Sequence, residues 1–351
     1  MKKLIAIALA LVMVFALAAC GGDEKPAAES GEVQTDAPAE ENASGTIELR
    51  LAHNLAEDHP LHLAALKFAE EVEKNTNGSV TVTVFPNAIL GSEVESIEQL
   101  TNGALDMCRA GGGSLENFNP IFSAFAIPYL FDSEESFYAV MNSEIADEVY
   151  NMTEDSGFIS LTYYDGGARS FYTNKEVNSP EDLAGLKIRV MENPTSIAMM
   201  DALNASAVPM AYGDIYTALQ QGVLDGAENN PTALTMGKHG EVAKYYSLDE
   251  HMRIPDFLII STKTWEKLTP DQQQALKDAA AVSTEYHTEL WKTAVEEALD
   301  SAEKDYGVTI THPDKTAFRE ACAPLYEDLK NSNPDVYAMV QRILEFQENL
   351  K

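Results

Sequence analysis

Two arginines, Arg169 and Arg189, in the stretch GGARSFYTNKEVNSPEDLAGLKIRVMENP could carry chemistry. Arg189 lies in LKIRV, whose alternation predicts a strand with Ile188 and Val190 on the core face. Arginine is always charged, and its planar fork of donors fits a carboxylate with two parallel hydrogen bonds. Open α/β sheets bind ligands at the carboxyl ends of their strands, so Arg189 could hold an anion there. The spacing alone favours another interpretation, an internal ion pair with a nearby Asp or Glu.

A second polar cluster lies in HNLAEDHP, where a predicted strand passes into a helix. His59 and His62 are three residues apart and could share a zinc ion, with His53 close by. No other clear cluster of metal ligands accompanies them, which argues against a zinc site. Hydrogen bonds from Asn54, Glu57 and His59 to the hydroxyl groups of a ligand are the alternative.

Two further features, a glycine-rich run and a set of three acidic residues, could carry chemistry. The run GGGS ends at Ser114 after another strand-like segment and could bring backbone donors to a ligand. It lacks the lysine of a P-loop and the spacing of a dinucleotide-binding loop. Asp165, Asp225 and Glu228 could suggest glycoside hydrolysis, but no nucleophile motif accompanies them. Acids in Asp-Gly turns usually serve the turn, so we expect that the protein is not an enzyme.

The elements that would position these residues alternate between strands and helices. IELRL predicts a strand, a helical stripe begins at Pro60, and VTVTVF predicts a second strand. Ser92 and Glu95 form a capping box that begins another helix. FISLTYYD, LKIRVM, LDGAE and FLIIST predict further strands, and Trp265 and Trp291 are interpreted as core residues. This order predicts an α/β fold with parallel strand pairing.

A long helix is predicted near the carboxyl terminus. Thr269-Pro270-Asp271-Gln272 is a strong start signal, and no stop signal appears before Gly307. A helix of about 37 residues is roughly 55 Å long, whereas a small domain is about 30 Å across. We therefore expect this helix to cross from one lobe to another. A kinked helix or two shorter helices are the alternative.

The segment GLKIRVMENPTSIAMMDALNASAVPMAYGDIYTALQQGVLDGAENNP resembles the substrate-binding proteins of tripartite ATP-independent periplasmic (TRAP) transporters, the DctP-type family. The strand arginine, the small-residue turn before VPM, the exit of the IYTALQQGVLDG helix and ENN follow in the family's order. The resemblance extends from about Ile47 to the end of the chain. It implies a two-lobed periplasmic-binding-protein-like fold with a hinge. The expected first lobe comprises residues 46–166 and 255–294, and the second comprises residues 167–254 and 295–351.

The resemblance also assigns roles to the polar residues. In this family the strand arginine clamps the carboxylate of the ligand, and that role falls on Arg189. Arg169 corresponds to a frequent second arginine, with a surface arginine near the hinge as the alternative. Asn229 and Asn230, in ENNP, resemble members that bind sugar acids, although turn asparagines before Pro231 are also possible. The resemblance also favours ligand hydroxyl contacts over zinc in the first loop, so we expect neither a metal nor a cofactor. The complete predicted site consists of Arg189, Arg169, Asn229, Asn230, His59, Glu57, Asn54, Met191, Tyr212 and Ser114.

The expected function is capture of a small organic acid outside the cytoplasm and its delivery to the membrane permease subunits of a TRAP transporter. A sugar acid such as a hexuronate is the favoured ligand class, and we expect a monomer. A C4-dicarboxylate receptor of the same family is the closest alternative. A lipoprotein that senses a ligand for a receptor kinase and a metal-binding lipoprotein are the alternatives from other classes.

The amino terminus indicates the compartment. A basic start and an apolar run end in LAAC, which resembles a lipoprotein signal over residues 1–19 with lipidation of Cys20. An ordinary secretory signal is the alternative, and residues 20–45 predict a disordered acidic tether. The net charge of −32 argues against nucleic acid and anionic lipid as partners. Cys108 and Cys322 could pair outside the cytoplasm, although Cys108 resembles a buried apolar residue.

Overall fold

The structure is a computed structural model that describes residues 45–351. The predicted signal peptide, Cys20 and the tether up to residue 44 lie outside the described residues. Within the described range, eleven strands form two separate sheets. The strands are β1 (Ile47–Ala52), β2 (Val80–Phe85), β3 (Met107–Gly111), β4 (Phe158–Tyr164), β5 (Ala168–Thr173), β6 (Lys187–Val190), β7 (Ser206–Pro209), β8 (Gly226–Asn229), β9 (Tyr245–Arg253), β10 (Asp256–Ser261) and β11 (Thr309–Thr311).

Fourteen α-helices lie within the same residues. They are α1 (Pro60–Asn75), α2 (Glu93–Asn102), α3 (Gly112–Leu115), α4 (Ser123–Ala126), α5 (Glu134–Met141), α6 (Glu144–Asn151), α7 (Pro194–Ala202), α8 (Ile215–Gln220), α9 (Thr232–Thr235), α10 (Thr262–Trp265), α11 (Pro270–Lys304), α12 (Lys315–Cys322), α13 (Pro324–Ser332) and α14 (Pro334–Glu348). Among the described helices, none is both long and apolar enough to cross a membrane.

The first lobe is built on a five-stranded sheet with the order β2-β1-β3-β10-β4. Strand β1 pairs in parallel with β2 and β3, as the alternation of strands and helices predicts. Strand β10 returns from late in the chain and runs antiparallel between β3 and β4. Leu49 and Leu51 lie in one apolar cluster, and Ala52 and Cys108 lie in another. Both faces of this sheet are therefore covered.

The second lobe is built on a six-stranded sheet with the order β11-β9-β5-β8-β6-β7. Strand β6 carries Arg189 and lies in parallel between β7 and β8. Strand β5 carries Arg169 and lies antiparallel between β8 and β9. Ile188 and Val190 lie in the apolar core of this lobe. The packing of Ile188 and Val190 fixes the strand, and Arg189 lies on the opposite face, as the alternation in LKIRV predicts.

The long helix is one continuous element. Helix α11 has 35 residues, from Pro270 to Lys304, and begins with a capping box between Thr269 and Gln272. Leu276 and Ala280 lie in an apolar cluster of the first lobe, whereas Ala302 lies in a cluster of the second lobe. At 1.5 Å per residue the helix is about 52 Å long. It bridges the two lobes, as predicted, and it is not divided into two helices.

The chain also crosses between the sheets at two short connections, residues 165–167 and 254–255. Asp165 joins these connections, because its Oδ1 accepts a hydrogen bond from the Gly167 backbone at 2.8 Å and its Oδ2 accepts one from Arg253 at 2.7 Å. Gly167 has a φ of +72°, and a Cβ there would lie 3.0 Å from the Trp291 ring. Glycine is therefore required where the chain turns beside the long helix.

One feature near the carboxyl terminus differs from the expected lobe boundaries. Helix α14, which belongs to the segment expected in the second lobe, places Val336, Met339 and Ile343 in an apolar cluster of the first lobe. Its apolar stripe packs against α4 and α5 of the first lobe after the chain has already completed the second lobe. Cys108 and Cys322 are both buried free thiols that lie in clusters of different lobes. The alternative of a disulfide between them is therefore wrong for this conformation.

Candidate functional site

A cavity lies between the two sheets, where side chains from both lobes converge. The space between the lining side chains is about 870 Å³, including open solvent. Nine of the ten predicted site residues line it: Arg189, Arg169, Asn229, Asn230, His59, Asn54, Met191, Tyr212 and Ser114. Glu57 is the exception, because it lies on the solvent-exposed part of the loop before α1. Most of the predicted residues are therefore brought together.

Arg189 carries a buried charge without an acidic partner. It is only 4% exposed, and its Nε donates a hydrogen bond to the Met210 carbonyl at 2.8 Å. It forms no ion pair with any described residue, so the internal ion pair that its spacing favours is not found. Burial lowers the pKa of the Arg189 guanidinium, although the nearby charge of Glu228 opposes this. The two terminal nitrogens are left available to a ligand in the cavity.

Arg169 is also buried, but unlike Arg189 it has an acidic partner. Its Nε and Nη2 donate to the two carboxylate oxygens of Glu228 at 2.6 and 2.9 Å, and its Nη1 donates to Asn229 Oδ1 at 2.9 Å. It is 8% exposed, so the alternative of a surface arginine is wrong. Burial alone would raise the pKa of Glu228, but Arg169 and His251 lower it to about 2. Arg169 is therefore a neutralised residue of the cavity wall.

The two asparagines differ in whether the side-chain amide nitrogen has a hydrogen-bond partner. Asn229 Oδ1 accepts from Arg169 and from the Asn230 backbone, but its Nδ2 has no partner within residues 45–351. Asn230 Nδ2 donates to the Gly166 carbonyl at 2.8 Å, and its Oδ1 accepts from the backbone and hydroxyl of Thr232. Asn230 thus holds a turn against the hinge. Asn229 keeps a donor for a ligand.

The wall from the first lobe contains an ion cluster that the sequence interpretation missed. Arg109, on β3, forms ion pairs with both Glu93 and Asp256. Glu93 also accepts hydrogen bonds from the Gly111 backbone and the Ser114 hydroxyl. The signal for Arg109 was present, since a charge within the apolar run LDMCRAG resembles the arginine in LKIRV. The acids that hold it come from a helix and a distant strand, which local patterns do not connect.

The histidines of the first loop are used in hydrogen bonds within the protein. His59 caps α1, since its Nδ1 accepts from the Leu61 backbone, and its Nε2 lies 3.4 Å from the Thr232 hydroxyl in the other lobe. His53 Nε2 and His62 Nδ1 lie 2.9 Å apart in a hydrogen bond. Within residues 45–351, no group of three or more His, Cys, Asp or Glu residues is arranged to hold a metal ion.

Apolar and aromatic side chains complete the cavity. Met191 lies opposite Gly113, where a Cβ would be 2.7 Å from the Met191 Cε. Tyr212 lies on the second lobe, and burial raises the pKa of its phenol. Trp291 and His287, both on α11, also line the cavity. Trp291 was interpreted from the sequence as core, and it is buried, but it also forms part of the cavity wall.

The acids that could suggest hydrolysis have structural partners. Glu228 is paired with Arg169, and Asp165 accepts hydrogen bonds from Arg253, Tyr138 and the hinge backbone. Asp225 accepts a hydrogen bond from the Lys187 backbone at 2.9 Å and does not line the cavity. These carboxylates hold strands and connections together.

Comparison with known proteins agrees with this geometry. The model of the DctP family, described as bacterial extracellular solute-binding protein, family 7, matches residues 51–333. The C4-dicarboxylate-binding periplasmic protein DctP of Rhodobacter capsulatus is 33% identical over 291 residues, which cover 81% of this chain and 86% of the relative. Such relatives are substrate-binding transport proteins rather than enzymes.

Two solved structures are similar over most of the chain. A TRAP periplasmic solute-binding protein from Anaerococcus prevotii DSM 20548, with bound α/β-D-glucuronate, is 39% identical with a TM-score of 0.84, covering 86% of this chain and 98% of that one. A TRAP periplasmic solute-binding protein from Sulfitobacter sp. NAS-14.1, with bound β-D-galacturonate, is 36% identical with a TM-score of 0.83, covering 85% and 99%. This chain therefore belongs to bacterial extracellular solute-binding protein family 7 and is a two-lobed, extracytoplasmic TRAP solute-binding protein.

Proposed function

We propose that this protein captures a hexuronate, or a closely related sugar acid, and that Arg189 binds the ligand carboxylate. The observation that carries the proposal is the buried guanidinium of Arg189, which faces the cavity without an acidic partner. A buried unpaired charge is unfavourable in the free protein, and a ligand carboxylate would neutralise it with two charge-assisted hydrogen bonds. The uronates bound by similar structures support the same ligand class.

The charges of the cavity favour one carboxylate over two. Three arginines and four acids line it, and within residues 45–351 both Arg109 and Arg169 already have acidic partners. A C4-dicarboxylate, the ligand named for the Rhodobacter relative, would bring a second carboxylate that meets no unpaired cation. A hexuronate instead offers one carboxylate and several hydroxyl groups, which fit Asn229 Nδ2 and the oxygen atoms of Glu93 and Asp256.

The decisive experiment is a thermal-shift and calorimetry comparison of charged and neutral sugars. D-Glucuronate and D-galacturonate should raise the melting temperature, whereas D-glucose and D-galactose should not. At about 100 times the dissociation constant, ligand binding stabilises the folded state by about 2.7 kcal/mol. Equal stabilisation by the neutral sugars would show that carboxylate capture does not select the ligand.

The role of Arg189 is tested by Arg189→Lys, which keeps the charge but loses the fork of donors. Losing one charge-assisted hydrogen bond, worth about 1.5–3 kcal/mol, should weaken D-glucuronate binding roughly ten- to a hundredfold. Arg319→Lys is the matched control, because Arg319 lies over the Tyr129 ring outside the cavity. Near-native affinity in Arg189→Lys would remove Arg189 from the binding site.

We further propose that Cys20 carries a lipid anchor and that the protein delivers its ligand to a TRAP permease. The small residues before Cys20 support the first proposal, and family membership supports the second. Cys20→Ser should move the protein from the membrane fraction to soluble or unprocessed material. Hexuronate uptake by vesicles that contain the permease should require the purified protein. Uptake without it would favour the alternative of a ligand-sensing lipoprotein.

A further inference from the structure

His287 is a buried histidine whose ring nitrogens are both without a partner. It lies on α11, is 0% exposed and lines the cavity between the lobes. Neither Nδ1 nor Nε2 forms a hydrogen bond with any described residue. By contrast, His53, His59 and His62 each use at least one ring nitrogen in a hydrogen bond. His287 therefore differs from the histidines that serve the fold.

The ring of His287 is held in place by aromatic contacts instead. It stacks on Trp291 with centroids 5.5 Å apart and an interplanar angle of 18°, and it packs against Tyr164 at 5.1 Å. Tyr164 is itself fixed by a hydrogen bond of 2.9 Å to Ser283. The aromatic contacts on its faces thus fix the position of the imidazole ring. Both ring nitrogens are shielded from solvent and remain without a hydrogen bond.

The protonation state of this histidine follows from its surroundings. Burial and the nearby charge of Arg109 lower the pKa of His287 to about 3. At neutral pH the ring is uncharged, so one nitrogen is a donor and the other is an acceptor. Burying both without partners is unfavourable, and such groups in native structures need an explanation. The cavity that His287 lines supplies one.

We propose that His287 is a ligand-binding residue that recognises a hydroxyl group of the bound sugar acid. A hydroxyl can both donate and accept a hydrogen bond, so it matches a neutral imidazole. A second carboxylate cannot donate to the acceptor nitrogen, so the same residue disfavours dicarboxylates. Sites that hydrogen-bond a substrate hydroxyl reject analogues that lack it more strongly than apolar pockets do. This inference rests on the proposed function and assigns a specificity role to the long helix.

The test is His287→Phe, which keeps an aromatic ring between Trp291 and Tyr164 and removes both nitrogens. Without ligand, its melting temperature should equal or exceed that of the wild type, since two unpaired polar atoms are lost. Its affinity for D-glucuronate, measured by calorimetry, should fall at least about tenfold. His62→Phe is the matched control, because it breaks the hydrogen bond to His53 outside the cavity. That variant should lose thermal stability and keep its affinity.

Deoxy analogues of D-glucuronate identify the hydroxyl group. One analogue should bind the wild type at least about tenfold more weakly than D-glucuronate does. His287→Phe should bind that analogue and D-glucuronate with equal affinity. If His287→Phe binds D-glucuronate as tightly as the wild type, water rather than ligand satisfies the ring, and the inference fails while the proposed function stands. If the wild type binds neither uronate, both fail.

A measurement on the wild type guards against a misfolded variant. The ¹⁵N resonances of His287 should report one protonated and one unprotonated ring nitrogen in the free protein. At least one of them should shift when D-glucuronate is added, because a new hydrogen bond changes its environment. Unchanged resonances at saturating D-glucuronate would overturn the inference regardless of how the variant folds.

Discussion

Arg169 and Arg189 are two buried arginines of one sheet with opposite electrostatic situations. Arg169 is fully engaged with Glu228, whereas Arg189 has a carbonyl but no carboxylate beside it. A chain gains no stability from an unpaired buried charge. Such a feature therefore points to function, and here it marks the expected position of the ligand carboxylate.

This contrast predicts opposite effects on stability at the residue scale. Arg169→Met leaves Glu228 buried without its main partner and should reduce the free energy of unfolding by about 3–5 kcal/mol. Arg189→Met removes an unpaired charge and should change it by less than about 1 kcal/mol, or increase it. Urea unfolding without ligand measures both values. A comparable loss in Arg189→Met would mean that Arg189 has a structural partner.

The residue-scale predictions from sequence depended on visible contrasts. A charge that interrupts an apolar alternating strand identifies Arg189, and Arg109 carries the same signal. Glu57 shares its loop with cavity residues, but the side chains of a loop point in different directions, and this one lies exposed. His287 gave no contrast, because its spacing fits the buried stripe of a long helix. Its lack of partners is visible only in three dimensions.

At the element scale, the segment after α3 is bonded to the start of α7. Glu116 accepts hydrogen bonds from Asn193 Nδ2 at 2.6 Å, the Thr195 hydroxyl at 2.8 Å and the Thr195 backbone at 3.2 Å. It thereby caps a helix of the second lobe from the first lobe. Asn117 adds a hydrogen bond of 2.7 Å to the Glu192 carbonyl. These contacts hold the lobes together.

Glu116→Ala should therefore favour separation of the two lobes. We expect its dissociation constant for D-glucuronate to rise about tenfold, through faster dissociation, because hydrogen bonds that join the lobes around the cavity are lost. Small-angle X-ray scattering should show a larger radius of gyration without ligand. Glu98→Ala is the control, since Glu98 is an exposed acid on α2. An unchanged affinity and radius would show that closure does not depend on these contacts.

A second element-scale feature is the buried charge network that joins β5, β8 and β9. His251 lies 2.8 Å from Asp249 and 3.4 Å from Glu228, and Glu228 binds Arg169. Burial alone would lower the pKa of His251, but Asp249 and Glu228 raise it to about 9. Tyr129 completes the network with a hydrogen bond of 3.3 Å to Asp249. The stability of strand pairing in the second lobe thus depends on the protonation of His251.

Because the folded-state pKa of His251 lies above its unfolded value, its contribution is fully present below about pH 6.5. It should be lost as the pH rises toward about 9, by on the order of 3 kcal/mol. Urea unfolding between these pH values measures the loss. In His251→Gln this part of the slope should disappear, whereas His312→Gln, at an exposed position, should retain it. An equal slope in all three proteins would contradict the prediction.

The elements themselves were largely predictable, but their arrangement was not. The start of α11 and the capping box of α2 depend on nearby residues, and both were identified. The antiparallel place of β10 between β3 and β4 depends on pairing between residues that are 92 to 153 positions apart in the chain. The packing of α14 on the first lobe likewise depends on which apolar face remains uncovered. Local patterns contain no information about either choice.

At the scale of the whole molecule, an acidic protein must admit an anionic ligand. The net charge is −32, and the side chains that line the cavity include four acids against three arginines. Neither the surface nor the cavity as a whole attracts a carboxylate at long range. Attraction should arise only close to Arg189, where the protein excludes water. Association of the ligand therefore depends on the negative charge of the surface, whereas its retention depends on Arg189.

Salt should accordingly accelerate ligand capture. Between about 0.01 M and 0.1 M salt the Debye length falls from about 30 Å to about 10 Å, which screens the negative surface more than it weakens the buried contact at Arg189. We expect the association rate constant for D-glucuronate to rise severalfold over this range, while the dissociation rate constant changes little. Stopped-flow fluorescence can follow both, because Trp291 lines the cavity. The dissociation rate serves as the internal control. An association rate that falls with salt would show that the cavity arginines steer the ligand from a distance and that the acidic surface does not oppose its entry.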